Sequence, residues 1–168
     1  MFRISPRPSR LFLMVTIGAA WLASSYPAPV WAHGDEHQAA DLYAAGAPGD
    51  AAKSFRVVEL TMMEGSGTMA YSPAEVQVKK GEQIKFILKN AGTLDHEFFL
   101  DSFEHNAEHK IEMQKNPEMV HDEPNAQRLA SGKQIEILWK FSKAGIFEFA
   151  CLIPGHYEAG MHGKVVVK

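Results

Sequence analysis

The stretch FEFACLIPGHYEAGMHG, residues 147–163, contains the only cysteine of the chain. Strand alternation sets Phe147, Phe149 and Cys151 on one face and Glu148 on the other. The charge marks the outside, so Cys151 is expected to face a core at the end of its strand. Pro154, Gly155 and Gly160 then permit tight turns, and the pattern Cys151-x4-His156-x4-Met161 can fold back on itself. One thiol cannot close an internal disulfide, and in an oxidising compartment it risks oxidation or cross-linking.

The expectation of such a compartment comes from the N-terminus. Arg3, Arg7 and Arg10 precede the apolar run LFLMVTIGAAWLASS (11–25), and PAPVWA ends in a small residue. That is the layout of a signal peptide over 1–32, cleaved after Ala32. The run is short for a membrane span, so none is expected in the mature protein. An uncleaved anchor is the alternative. Removing 1–32 takes away only those arginines among the charged residues, so the formal net charge moves from −3 to −6. An acidic chain is a poor partner for nucleic acid. A periplasmic monomer is the expectation.

Residues 33–53 are rich in Ala, Gly and Asp and read as a mobile tail carrying His33 and His37. From Ser54 to Lys168 the pattern becomes short β-prone runs. EQIKFILKN (82–90), for example, alternates Ile84, Phe86 and Leu88 against Lys85 and Lys89. With SFRVVELTM, AEVQVKK, HEFFLDS, KQIEILWKF, GIFEFACLI and GKVVVK, these argue for an all-β sandwich or barrel. In HEFFL, Glu97 marks the outside and places His96, Phe98 and Leu100 inside. FEHNAEHKIEMQKNPEMVHDEPN (103–125) breaks the rhythm and suits a short helical insertion, with the helix ending before Pro117. His105, His109 and Met113 would share one helix face.

His96, Cys151, His156 and Met161 are thus aimed toward one place. Two imidazoles and a thiolate with a weak axial thioether form the blue-copper ligand set. Structural zinc prefers more thiolates, and a thioether is a poor zinc ligand. A cysteine protease would need an exposed thiol beside a base, and Met161 would have no role. The bland alternative is an inert core cysteine, a surface histidine and a methionine that fills space.

At these residues the chain resembles the cupredoxins of the plastocyanin/azurin family over about 54–168. The resemblance rests on His96 in LDHEFFL, on FEFACLIPGHYEAGMHG and on the closing strand KVVVK. The ligand loop is similar to that of rusticyanin, and EMQKNPEMVHDEPNAQRL to bacterial periplasmic copper-tolerance cupredoxins. The resemblance implies a Greek-key β-sandwich with one copper ion, held by His96, Cys151, His156 and Met161. It implies no enzyme: Ala150 and Leu152 flank the cysteine, where catalytic multicopper relatives carry a histidine. In plastocyanin and azurin an Asn follows the first ligand histidine and ties the ligand loops; here Glu97 stands instead, so the loop must be held another way.

Accessory copper ligands are sought among His33, His37, His105, His109 and His121 and the Met62, Met63 and Met69 group. For each, a solvated or core-filling side chain is the competing reading. The expected function is copper tolerance by binding, buffering or redox handling of copper. The alternative is an electron shuttle whose redox partner docks near His156.

Overall fold

The computed structural model describes residues 43–168. The expected signal peptide, His33 and His37 lie outside the described residues. Among these residues no helix is long and apolar enough to cross a membrane.

Two sheets face each other. The first contains, in spatial order, β1 (Ala47–Pro48), β9 (Gln134–Lys140), β5 (Gln83–Asn90), β2 (Arg56–Gly65) and β3 (Thr68–Ser72). The second contains β4 (Glu75–Val78), β11 (His162–Val167), β10 (Gly145–Ala150), β6 (His96–Asp101), β8 (Ala126–Leu129) and β7 (Asp122–Glu123). The β2–β5 and β4–β11 pairs are parallel and the others antiparallel. This is the expected all-β sandwich.

Alternation does most of the work. On β5, Ile84, Phe86 and Leu88 are fully buried while Lys89 is exposed, as a pleated strand requires. Between the sheets Phe98 stacks on Phe149, with centroids 5.7 Å apart and planes at 21°. Tyr71 meets Phe149 edge-on at 5.1 Å. The β2–β3 hairpin turns on Ser66 (φ 43°) and Gly67 (φ 83°), two left-handed residues whose twist suits a two-residue hairpin.

The insertion begins with α1 (Phe103–Lys115), capped where Ser102 Oγ accepts from the His105 N–H at 3.1 Å. It ends just before Pro117, as expected, and the chain then forms β7 and β8. The helix lies against β6 and β10 and closes a second apolar cluster of Phe99, Met113, Ala126, Ala150 and Leu152.

That cover corrects one expectation. Glu97 and Glu148 do lie on the face opposite Phe98 and Phe149, but that face is not wet: they are 0% and 2% exposed. Alternation identifies two faces and cannot say that a later insertion covers the second.

The segment expected as a mobile tail is packed from Tyr43 onward. Ala45 is fully buried, Tyr43 meets Trp139 edge-on at 5.3 Å, and Trp139 Nε1 donates to the Ala45 carbonyl at 3.3 Å. Strand β1 pairs with β9, and the Gly49 N–H reaches the Leu138 carbonyl at 2.8 Å.

Candidate metal centre

His96 opens β6, and Cys151 directly follows β10, which pairs with it. The loop after Cys151 is wound by backbone bonds from His156 N to Ile153 O and from Met161 N to His156 O, each 3.0 Å. Cys151 N donates to Met161 O at 3.0 Å, closing the loop at its base. Gly160 takes φ 103°, a left-handed conformation that favours glycine, and the neighbouring Ala159 carbonyl accepts from the Met69 N–H of the opposite sheet at 2.9 Å.

Three donor atoms converge. Cys151 Sγ lies 3.3 Å from His156 Nδ1, and His96 Nδ1 lies 3.3 Å from the same atom. All three donor atoms fall within 4.8 Å of one another. Separations of this size suit ligands of one ion with bonds of about 2.0–2.3 Å. His96 and Cys151 are fully buried and His156 is half-buried. Met161 is fully buried in the same apolar cluster as Cys151.

The electrostatics favour a soft cation here. Burial pushes the Cys151 thiol up to about 12, so without a positive partner it stays protonated. The Glu97 N–H, 3.3 Å from Sγ, and the Ile153 N–H oppose that shift and are placed to share the charge of a thiolate. Burial also lowers the pKa of His96 and His156, which favours the neutral imidazole, the form that ligates.

Glu64, at the end of β2, gives no sign of its role in the sequence. Its Oε1 lies 2.9 Å from His96 Nε2 and also accepts from the Thr93 and Leu94 N–H groups at 3.0 and 2.9 Å. Its Oε2 accepts from Thr93 Oγ1 at 2.8 Å. These bonds, the Leu94 N–H first, hold its carboxyl down at about 2. A carboxylate on Nε2 leaves the Nδ1 lone pair facing the other donors. A Cβ on Gly92 would collide with this carboxylate.

Asn90 completes the support. Its side chain donates to the Leu94 and Leu129 carbonyls at 2.8 and 3.0 Å and accepts from the Gly92 N–H at 2.9 Å. Glu64 and Asn90 thus hold the loop that Glu97 leaves untied. In sequence Asn90 reads only as the end of the strand run EQIKFILKN.

The accessory candidates separate. Met62 is buried, and Met63 points to the opposite, solvent side of β2, so this pair does not converge. His105 is exposed and paired with Asp101 at 2.8 Å. His162 stacks on Tyr157 at 4.7 Å. His109 and His121 come together, with Nε2 atoms 2.9 Å apart.

The family described as copper binding proteins, plastocyanin/azurin family, matches residues 58–168. The chain is 48% identical over 140 residues to the copper-resistant cuproprotein CopI of Rubrivivax gelatinosus, covering 81% of this chain and 83% of that one. It is 34% identical over 184 residues to the protein of the same name from Pseudomonas aeruginosa, covering 92% and 94%. Among solved structures, the dithionite-reduced auracyanin of Roseiflexus castenholzii superposes with a TM-score of 0.55 at 25% identity, covering 68% of this chain and 98% of that one. Sheet order, the converging donors and these matches agree: the chain belongs to the plastocyanin/azurin family of copper-binding proteins.

Proposed function

We propose that the chain is an exported, periplasmic copper-tolerance protein. It would hold one type-1 copper ion at His96, Cys151, His156 and Met161. The observation that carries this reading is the convergence of one buried thiol and two imidazoles at 3.3 Å spacings. Relatives named copper-resistant cuproprotein support the tolerance role.

Bound copper would supply one-electron chemistry. The protein's own residues exclude water from the thiol, hold the His96 ring through Glu64 and aim two N–H groups at sulfur. These constraints favour one fixed arrangement of donors in both oxidation states, which keeps reorganisation small. Ala150 and Leu152 beside the thiol offer no route to further copper ions, in keeping with a binding protein rather than an enzyme.

An electron shuttle is the second reading. Leu94, 46% exposed on the loop before His96, and the half-buried His156 ring offer an apolar contact beside the site. Growth across a copper series separates the two. A strain lacking the protein should be copper-sensitive, wild type should restore growth, and Cys151→Ser should not. Full copper tolerance in the deletion strain, with electron transfer impaired, would replace tolerance by shuttling.

A further inference from the structure

On the covered outer face of the second sheet, the buried carboxylates Glu148 and Glu97 differ in fortune. Glu148 is satisfied: Tyr157 Oη donates to Oε1 at 3.0 Å and Asn106 Nδ2 to Oε2 at 3.1 Å. Glu97 is 0% exposed, and among the described residues neither of its oxygens has a hydrogen-bond partner. The Leu152 N–H opposes the rise that burial imposes on the Glu97 pKa, yet it does not reach an oxygen in hydrogen-bond geometry. A buried carboxylate without partners is costly and calls for a positive charge.

The nearest candidate is not a basic side chain. Glu97 Oε1 points toward His121 Nε2 at 3.9 Å, and His121 Nε2 lies 2.9 Å from His109 Nε2. The far nitrogens of both rings face carboxylates. His121 Nδ1 is 3.1 Å from Glu123 Oε2, and His109 Nδ1 is 3.4 Å from Glu112 Oε2. With each Nδ1 proton turned to its carboxylate, both Nε2 lone pairs are available to one cation. Without a metal, one proton shared between the two Nε2 atoms fills the same 2.9 Å gap. Phe99 forms one wall, stacked on His109 at 4.7 Å and edge-on to His121 at 5.4 Å. The histidine side chains are only 12% and 7% exposed.

We propose that His109 and His121 are the ligands of a second metal site, for a first-row divalent cation and above all copper(II), with the buried Glu97 carboxylate beside them as its counter-charge. Two imidazoles with a nearby carboxylate charge suit such an ion, and copper(II) heads the affinity order. The 2.9 Å separation of the two Nε2 atoms fits two ligands of one ion with bonds of about 2.0–2.2 Å, and Glu97 Oε1, 3.9 Å from His121 Nε2, lies close enough to offset its charge. The site lacks sulfur, so its copper would not be intensely coloured. It stands apart from the Cys151 centre in donors, yet Glu97 follows His96 in the chain and its N–H reaches Cys151 Sγ. The proposal does not depend on the ligand roles assigned at Cys151.

The test loads purified full-length protein with copper(II) or zinc(II), desalts it, and counts retained metal. Copper samples are also read by visible absorption and electron paramagnetic resonance. Compared with wild type, the double variant His109→Leu/His121→Leu should retain one copper fewer. It should lose a weakly coloured copper(II) resonance and keep any intense visible band. Glu97→Gln should weaken that second site about tenfold or more, and His105→Leu should match wild type. With both metals offered, copper(II) should exclude zinc(II) from the second site. Equal copper content in wild type and the double variant would overturn the proposal and leave a shared proton between the rings. Equal loss in His105→Leu would overturn it in favour of surface adsorption. If the double variant fails to fold, unchanged second-site affinity in Glu97→Gln overturns the proposal. Absence of an intense band from the copper-loaded wild type would instead count against the Cys151 centre.

Discussion

The Nε2 atom of His96 lies 2.9 Å from Glu64 Oε1, joining a residue at the mouth of one sheet to a residue at the end of the other. The loop between β5 and β6 is fastened to the same carboxylate. Ring orientation at the centre is therefore set across the sandwich.

Glu64→Gln should keep the shape of this contact while removing its charge. Copper(II) carries more charge than copper(I), so losing a nearby anion should raise the reduction potential, by about tens of millivolts. Copper affinity should fall roughly tenfold to a hundredfold, the usual effect of losing a group that orients a ligand. Voltammetry and competition with a chelator measure the two effects. An unchanged potential would remove Glu64 from the electrostatics of the site.

Met161→Leu removes a thioether from a fully buried position with little change of volume. As a weak axial donor it should tune the metal more than hold it. Copper should stay bound, the visible spectrum should change, and the potential should rise. Complete loss of copper binding would show that the thioether is a principal ligand.

Phe98→Ala opens a cavity between the sheets where the ring stacks on Phe149. The expected loss is about 3–5 kcal/mol of folding stability. Urea unfolding of the metal-free protein measures it, because bound metal would mask part of the change.

Arg56 Nε donates to Glu82 Oε1 at 2.7 Å and its Nη2 to the Gln77 carbonyl at 2.7 Å. The guanidinium first, and the Lys79 N–H besides, hold the Glu82 carboxyl below its ordinary 4.5. A depressed pKa gives stability that is present above pH 4.5 and lost as pH falls through the folded-state value. Arg56→Met should flatten this acid limb and cost about 0.5–1 kcal/mol at neutral pH. Denaturant midpoints from neutral pH downward test it. Parallel curves for variant and wild type would contradict it.

Much of the sandwich was legible because one face of each main strand is strictly apolar. Ile84, Phe86 and Leu88, and likewise Phe147, Phe149 and Cys151, declare their side by parity alone. The loop spacing around His156 was legible for the same reason: it follows an inward strand end. Strand β3 was missed because TMAYS is short and half-polar, and its Ser66–Gly67 turn resembles a simple break. Glu64 was missed because its partners are distant in sequence, Thr93 in the loop between β5 and β6 and His96 on the other sheet. Parity placed Glu97 on the correct face, but the helix that buries that face comes later in the chain.

The sheets also end in a particular way. The margins are β1 and β7, two residues each, and the short strands β3 and β4. Both residues of β7 are exposed and acidic. Open backbone at a sheet margin is where one copy of a protein recruits another into aggregates, and short or charged margins discourage it. These clipped margins let many copies crowd one compartment without knitting together.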